Sequence, residues 1–415
     1  MYNNLNEKVV NLSIEAEKDL ANIYKKIDEV CEKNSLKVIS AFTRNRVSYS
    51  DFSDINGYGF YDGGRDKLEK IFAEVLGAED SLVRPHIMSG TNAIALTLSA
   101  LLKYGDTLLS VSGLPYDSLQ GIIGISGDSK QSLKAHGVKY EQIDLVNDDF
   151  DLPTIEERIK KGGVTVVAIQ RSRGYSARKS LTIEKIERVV KLIKSIDANV
   201  VIMVDNCYGE LVEEKEPTDV GADVIVGSLM KNLGGGVASS GGYMAGRTDI
   251  INEIAERLTA PGVGKSLGSN FNQNLQFYKG LYMAPNAVKN SLKTAVFASY
   301  MLDKLGFEGV SPTYDEYRTD IIQTVNLKSV ENLVKFCQGM QKGSPIDSFV
   351  AVEPAPMPGY PHDEVMAGGS FTQGSTIELS CDAPIVEPFT AYMQGGLTYE
   401  YGKYGVMVAI SEMFK

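Results

Sequence analysis

Apolar residues follow two alternating patterns between residues 65 and 285 of this chain. Short continuous apolar runs, such as Val164–Ile169 and Val200–Val204, have the length and the β-branched content of buried strands. Between these two runs, the segment Ile183–Ile193 carries apolar residues at helical spacing. This alternation predicts an α/β fold in which helices cover a mainly parallel sheet and ligands bind at the carboxyl ends of the strands.

The pattern also divides the chain into three parts. Residues 1–64 are predicted to form an N-terminal helical arm that contributes to an oligomer and to the active site. Residues 65–285 form the large α/β domain, and residues 286–415 form a smaller α+β domain that opens with a helix at Ala287–Leu305. Further strands of the large domain are expected at Thr107–Val111, Ala222–Val226 and Gly242–Ala245.

Composition narrows the class of protein. The 415 residues are 43% hydrophobic and 23% charged, which is ordinary for a globular protein of two or three domains. The net charge of −11 disfavours binding to nucleic acid. The N-terminus lacks a signal-peptide pattern, and no apolar run approaches the roughly 18 residues that span a bilayer. We therefore expect a cytoplasmic protein that contacts neither nucleic acid nor membrane.

The four cysteines are scattered along the chain and have no histidine near them. None of them has the spacing of a zinc site or of a disulfide framework, so we expect reduced thiols and no metal site. The cysteines are Cys31, Cys207, Cys337 and Cys381.

Asp205 and Lys231 carry the most informative chemistry. Asp205 closes the apolar run Val200–Val204, and Lys231 follows the next predicted strand. A pyridoxal-phosphate enzyme needs a lysine that forms a Schiff base with the cofactor aldehyde and a carboxylate that pairs with the pyridine nitrogen. Each residue alone also has an ordinary interpretation, as a strand-end aspartate or a solvated lysine. The assignment therefore depends on further residues that occur in the right order.

A short polar turn lies upstream, where a cofactor phosphate would be held. Ser89, Gly90, Thr91 and Asn92 precede the apolar helical stretch Ala93–Leu102. Free backbone N–H groups and the helix dipole make such a turn a good phosphate site. The alternative is a simple helix N-cap, for which the same residue types are favoured.

Two more side chains complete the candidate cofactor site. Ser228, three residues before Lys231, supplies another hydroxyl for the phosphate. Tyr116 follows the predicted strand Thr107–Val111, so its ring can stack on the pyridine face. The alternative for Tyr116 is a tyrosine that anchors a turn.

This ordered set resembles the fold-type I superfamily of pyridoxal-phosphate enzymes. Four longer strings are similar to the methionine gamma-lyase-like family, which is also labelled "aluminium resistance protein" and is related to the cystathionine lyases. The strings are Ser112–Asp117, Ile169–Tyr175, Ser370–Gly374 and Gln394–Glu400. The resemblance implies a seven-stranded type of sheet and pyridoxal 5'-phosphate as the cofactor.

The activity implied by the resemblance is that of a carbon–sulfur lyase on a small sulfur-containing amino acid. Lys231 would remove the α-proton, Asp205 would hold the protonated ring, and Tyr116 would protonate the leaving group. An aminotransferase or an aldolase on the same scaffold stays open, because fold does not fix the reaction. A non-catalytic metal-resistance protein is a further alternative, although the carboxylates show no clustered ligand spacing.

The resemblance also assigns roles to four residues outside this core set. In the cystathionine lyases a tyrosine and an arginine of the neighbouring subunit reach the phosphate, and Tyr58 and Arg65 are the nearest equivalents. A shared site of this kind implies a homo-oligomer, at least a dimer, with a tetramer favoured. The chain has no arginine after Arg318, so Arg171 or Arg173 is expected to bind the substrate carboxylate, with Arg173 preferred.

Overall fold

A seven-stranded sheet forms the centre of the large domain in the computed structural model, which describes residues 4–415. The order across the sheet is β1-β7-β6-β5-β4-β2-β3. Only β7 runs antiparallel to its neighbours, which confirms the mainly parallel sheet. The strands are β1 (Asp80–Arg84), β2 (Thr107–Ser110), β3 (Lys139–Gln142), β4 (Val166–Gln170), β5 (Val201–Asp205), β6 (Val224–Ser228) and β7 (Gly242–Gly246).

A second, antiparallel sheet of six strands belongs to the small domain. Its order is β10-β11-β12-β13-β9-β8. The strands are β8 (Glu308–Ser311), β9 (Gln323–Asn326), β10 (Ala355–Pro356), β11 (Asp363–Ala367), β12 (Ser380–Pro384) and β13 (Thr390–Gln394).

Eleven α-helices occur in the part of the chain that the structure describes. They are α1 (Glu7–Asp19), α2 (Ala21–Arg44), α3 (Gly63–Val75), α4 (Gly90–Leu101), α5 (Asp117–Ile123), α6 (Leu152–Lys160), α7 (Ile183–Ile196), α8 (Thr248–Leu258), α9 (Asn274–Lys304), α10 (Val330–Lys342) and α11 (Tyr399–Glu412).

The strand sequences are continuously apolar because both faces of the large sheet are covered. Ile202 and Val204 of β5 pack in a cluster that includes Ile186 of α7. Met203, on the opposite face, packs in a second cluster that includes Ile94 of α4 and Ile251 of α8. Successive side chains of one strand therefore enter different cores, and only the strand ends are left to carry polar chemistry.

The N-terminal arm is packed against both domains of its own chain. Val9, Ala16 and Leu20 are buried in the core of the small domain. Asn34 of α2 donates through Nδ2 to the carbonyl oxygens of Leu211 (2.9 Å) and Glu213 (3.1 Å) in the large domain. Helices α1 and α2 form the arm, and its contacts tie the two domains together.

One predicted boundary is wrong. Helix α9 begins at Asn274 and not at Ala287, so Pro285 lies inside the helix. The sequence pattern favours a start after Pro285, because proline removes a helix hydrogen bond. Burial of Phe277 and Leu281 in the large core outweighs that cost and extends the helix toward the N-terminus. None of the helices found within residues 4–415 is long and apolar enough to cross a membrane.

Candidate active site

A cavity of about 290 Å³ lies where the carboxyl ends of β4, β5 and β6 face the small domain. Its lining combines the sequence-predicted residues Lys231, Asp205 and Tyr116 with the turn at the start of α4. Residues of β12 and β13 form the facing wall, among them Asp382. Parallel strands place their carboxyl ends at one edge of the sheet, so residues far apart in sequence meet there.

Asp205 is the last residue of β5, and its side chain is buried. The backbone N–H of Cys207 donates to Oδ1 of Asp205 at 3.1 Å. Burial raises the pKa of Asp205 above its ordinary value, although the Lys231 charge and the bond from Cys207 oppose that rise. A buried carboxylate with so few donors is stabilised most by a cationic partner, which a protonated pyridine nitrogen would supply.

Lys231 follows β6, the strand that pairs in parallel with β5. Its Nζ atom lies over the ring of Tyr208, 3.9 Å from the ring centroid. Burial by itself lowers the pKa of Lys231, but the acidic groups around it, Asp205 among them, raise the pKa above its usual value. Lys231 thus supplies the only amine in the part of the lining that the structure describes.

The predicted turn forms a cradle at the start of α4. Ser89 is the N-cap, and its hydroxyl oxygen accepts from the backbone N–H of Asn92 at 3.0 Å. A Cβ on Gly90 would meet Sγ of Cys207 at 3.0 Å and Cβ of Ser228 at 3.5 Å. Glycine therefore lets the helix start approach the end of β6 closely, and Ser89, Gly90, Thr91 and Ser228 all line the cavity.

This cradle has the donor set that a phosphate needs. The first-turn amides of a helix have no partner within the helix, and the dipole adds partial positive charge. The buried hydroxyl of Thr376, which also lines the cavity, has no hydrogen-bond partner and can donate to such a group. The residues present therefore fit pyridoxal 5'-phosphate: the start of α4 would hold its phosphate, Asp205 its ring nitrogen and Lys231 its aldehyde group.

Tyr116 lies beside this cradle. Its backbone N–H donates to Oε1 of Gln170 at 3.1 Å, and its hydroxyl oxygen is 3.4 Å from Oγ1 of Thr91. Burial, aided by the charge of Asp205, raises the pKa of Tyr116 above its ordinary value. The hydroxyl therefore stays protonated at neutral pH and can donate to a neighbouring group.

Arg171 does not reach the cavity. Its side chain is fully buried, and Nη1 donates to Oδ1 of Asn206 (2.7 Å) and to the carbonyl oxygen of Gly209 (2.9 Å). Nη2 donates to Oε1 of Glu213 at 2.9 Å, and Glu216 lies 3.5 Å from Nη1. These contacts point the guanidinium away from the substrate space, so the expectation that Arg171 binds the substrate carboxylate disagrees with the structure.

Arg173 also lies outside the central cavity. It lines an adjacent cavity of about 470 Å³, where Nη1 donates to Oγ1 of Thr324 at 3.3 Å and Nη2 donates to Oγ of Ser311 at 3.1 Å. Because Arg173 is absent from the lining of the Lys231 cavity and is bonded to Thr324 and Ser311, the expectation that it binds the carboxylate next to the reacting carbon disagrees with the structure. The sequence alone could not show where the two arginine side chains lie, because residues 171–173 form an irregular segment after β4.

Tyr58 and Arg65 do not line the cavity of their own chain. Tyr58 is exposed, whereas Arg65 is buried and donates through Nη1 to the carbonyl oxygens of Gly59 (2.7 Å) and Gly268 (2.9 Å). The prediction that these two residues serve a neighbouring subunit stays a prediction.

Several lining residues escaped the sequence analysis. Cys207 and Tyr208 lie two and three residues after Asp205, so their place in the chain was an available signal. Tyr175 and Gln394 lie within strings that carry the family resemblance, but no chemistry distinguished them. Asp382 had no signal at all, because its place in the cavity depends on how the two domains meet.

The comparison with known proteins follows from this geometry. The family model described as "Methionine gamma-lyase" matches residues 9–414. The chain belongs to the methionine gamma-lyase family. One relative in this family, the YnbB protein of Bacillus subtilis (strain 168), is 43% identical over 413 residues, which are 99% of this chain and 97% of YnbB.

Solved structures agree with the family assignment. A Clostridium acetobutylicum protein, described as a candidate cystathionine beta-lyase involved in aluminum resistance, is 44% identical, with a TM-score of 0.95 over 99% of this chain and 96% of its own. A Clostridium novyi NT protein, described as a carbon-sulfur lyase involved in aluminum resistance, is 46% identical, with a TM-score of 0.94 over 98% and 96%.

A more distant structure shows the fold alone. The pyridoxal-5'-phosphate-dependent protein YhfS of Escherichia coli is 17% identical, with a TM-score of 0.62 over 92% of this chain and 96% of its own. The predicted α/β fold and the resemblance to the methionine gamma-lyase family are thereby confirmed.

The position of Arg171 makes a prediction about stability. Arg171→Met should lower the free energy of unfolding by about 3–5 kcal/mol, because it leaves the buried Glu216 without its cation. Denaturant unfolding of the purified protein measures the change. Arg188→Met is the matched control, since it removes an ion pair to Asp149 in which the arginine side chain is 47% exposed and which is worth less than about 1 kcal/mol. Equal losses in both variants would contradict the structural role.

Proposed function

We propose that this protein is a pyridoxal-5'-phosphate-dependent carbon–sulfur lyase that acts on a sulfur-containing amino acid. One observation carries the proposal: Lys231 and Asp205 line the same cavity, beside a helix start that suits a phosphate. The descriptions of two relatives, as a candidate cystathionine beta-lyase and a carbon-sulfur lyase, support the reaction class. β-elimination and γ-elimination both remain within it.

The residues of the cavity have distinct parts in this chemistry. Bound pyridoxal phosphate would supply an electron sink for charge that develops at the substrate α-carbon. The buried carboxylate of Asp205 would keep the pyridine nitrogen protonated by pairing with its positive charge. Nζ of Lys231 would take the proton from the α-carbon, and the hydroxyl of Tyr116 would donate a proton to the departing sulfur. The facing wall of the small domain would limit access of water.

An aminotransferase or an aldolase would use the same lysine and aspartate. The lining does not separate these reactions, because they differ in which bond at the α-carbon breaks. An assay panel of amino acids that detects keto acid, ammonia and sulfide discriminates among them. Sulfide or a thiol released together with ammonia is the expected result for the lyase.

We also propose that two copies of the chain share each active site. Tyr58, Phe60 and Tyr61 are exposed aromatic residues on the glycine-rich turn that precedes α3. Exposed aromatic residues grouped in this way are typical of an interface. A second copy that covers this turn would bring Tyr58 toward the cofactor phosphate of its neighbour.

The first prediction concerns the covalent link to the cofactor. Protein loaded with pyridoxal phosphate should have an absorbance band that borohydride bleaches, and peptide mapping should place the reduced cofactor on Lys231. Lys231→Ala should abolish the link and retain part of the non-covalent binding, because the phosphate cradle remains. Lys103→Ala, at an exposed lysine, is the control. A reduced cofactor on any other lysine would refute the assignment.

The second prediction concerns Asp205→Asn, which keeps the size of the side chain and removes its charge. Turnover should fall by orders of magnitude, with a smaller loss of cofactor affinity, since the pyridine nitrogen is no longer held protonated. Steady-state kinetics and cofactor titration measure the two effects separately. Near-normal turnover would mean that Asp205 is only a structural residue at the end of β5.

The third prediction tests the shared site by mixing two variants. Lys231→Ala and Tyr58→Ala are each expected to be impaired, but a mixed dimer would contain one site with a wild-type lysine and a wild-type tyrosine. Activity should therefore rise after the two proteins are unfolded and refolded together, compared with each variant refolded alone. If activity does not rise while mixed dimers form, Tyr58 does not act across the interface.

A further inference from the structure

Tyr208 lies in the loop after β5, three residues beyond Asp205, and its side chain lines the central cavity. Its backbone φ angle is 71°, in the left-handed region that a residue with a bulky side chain rarely adopts. Such a conformation is costly, and it persists only where the surrounding structure fixes it, often at a functional site. The contacts around Tyr208 show what fixes it.

Arg171 holds the loop on both sides of Tyr208. Its Nη1 atom donates to Oδ1 of Asn206 at 2.7 Å and to the carbonyl oxygen of Gly209 at 2.9 Å. A Cβ on Gly209 would meet Cδ and Nη1 of Arg171 at 2.7 Å, so the loop also packs directly against this side chain. The scaffold therefore sets the position from which the Tyr208 ring enters the cavity.

The segment that carries Lys231 is tied to the same loop. Nδ2 of Asn232, which is fully buried, donates to the carbonyl oxygen of Glu210 at 2.9 Å. On the other side of Lys231, the carbonyl oxygen of Met230 accepts from the backbone N–H of Thr376 in the small domain at 3.1 Å. Both chain neighbours of Lys231 are thus anchored, and one of the anchors is the loop of Tyr208.

The side chains of Tyr208 and Lys231 meet between these anchors. Nζ of Lys231 lies 3.9 Å from the centroid of the Tyr208 ring, well inside the roughly 6 Å over which an aromatic face attracts a cation. Burial raises the pKa of Tyr208 to about 12, so the phenol stays neutral over the pH range in which a lysine amine ordinarily titrates. The ring face attracts the ammonium group without offering it a proton acceptor.

We propose that Tyr208 is a positioning residue for Lys231, whose free ammonium group is held and stabilised on the face of the Tyr208 ring. The part of Tyr208 in turnover rests on the proposed function, in which Nζ of Lys231 becomes positively charged when it takes the α-proton. The ring is placed to stabilise that charge. A carboxylate in the same place would form an ion pair and hold the proton more tightly.

Fluorinated rings test the contact without a large change in the shape of the side chain. Tyr208→Phe keeps the ring face and should leave the pKa of Lys231 near its wild-type value. Phenylalanines with increasing numbers of ring fluorine atoms at position 208 should lower that pKa stepwise, by about half to one and a half pH units in total, because fluorine withdraws negative charge from the ring face. Competitive acetylation of the full-length protein, freed of cofactor, measures this pKa by mass spectrometry of the peptide that contains Lys231.

The other titratable groups around Lys231 are the same in every protein of this series. A stepwise fall of the pKa can therefore be assigned to the ring at position 208. These groups are Asp205, Cys207, Tyr116, Glu210, Tyr360 and Asp382.

Tyr208→Leu is the aliphatic variant, and its direction of change is informative. Loss of the ring attraction should lower the pKa of Lys231, whereas a simple loss of packing would admit water and raise it. Lys103, an exposed lysine labelled in the same samples, is the internal control, and its pKa should not change. A Lys231 pKa that is constant along the fluorinated series, or that rises in Tyr208→Leu, would overturn the proposal.

The labelling measurement needs neither cofactor nor turnover, so it separates this inference from the proposed function. A stepwise fall of the Lys231 pKa in a protein without lyase activity would support the Tyr208 contact and refute the lyase. Lyase activity together with a constant pKa along the series would support the lyase and refute the Tyr208 contact.

Discussion

The buried charge of Asp205 constrains this active site more than any other interaction. A carboxylate at the end of a central strand, with Cys207 N–H as a donor and with its pKa raised by burial, is destabilised until a cation approaches it. Lys231, which follows the next parallel strand, brings one positive group into the same cavity. The parallel register of β5 and β6 therefore determines the electrostatics of the whole site, and the glycine at the start of α4 allows the phosphate cradle to approach it.

The two walls of the cavity come from different domains and have different proposed roles. The large-domain wall is made of strand ends and a helix start, which a packed sheet holds rigidly, and this is where the proposed chemistry takes place. The small-domain wall is the face of an antiparallel sheet, where every second side chain can point into the cavity. That face can change its charge without disturbing the cofactor residues, so substrate selection is expected to reside there. Asp382 is the acidic residue of this wall.

Arg171 and Arg173 show that the role of a residue depends on where the fold places its side chain. Arg171 and Arg173 follow a strand that ends at the site, and guanidinium is the usual partner of a carboxylate. In the folded chain, however, Arg171 binds Asn206, Gly209 and two glutamates in the loop after β5. Arg173 connects the end of β4 to the β8–β9 region. Both arginines therefore connect separate segments of the scaffold. Their fixed positions support the loops that carry Cys207, Tyr208 and Tyr175 into the cavity.

The sequence by itself determined the features that depend on local pattern and chain order. Apolar runs and helical spacing specified the α/β domain, and Ser89–Asn92, Asp205 and Lys231 could be predicted because parallel strands always end at one edge. Only the tertiary structure decided the features that depend on how distant segments meet. The start of α9 and the burial of Arg171 follow from packing among distant segments of the large domain, and the entry of Asp382 into the cavity follows from how the two domains meet. No periodicity or spacing in one segment records such contacts.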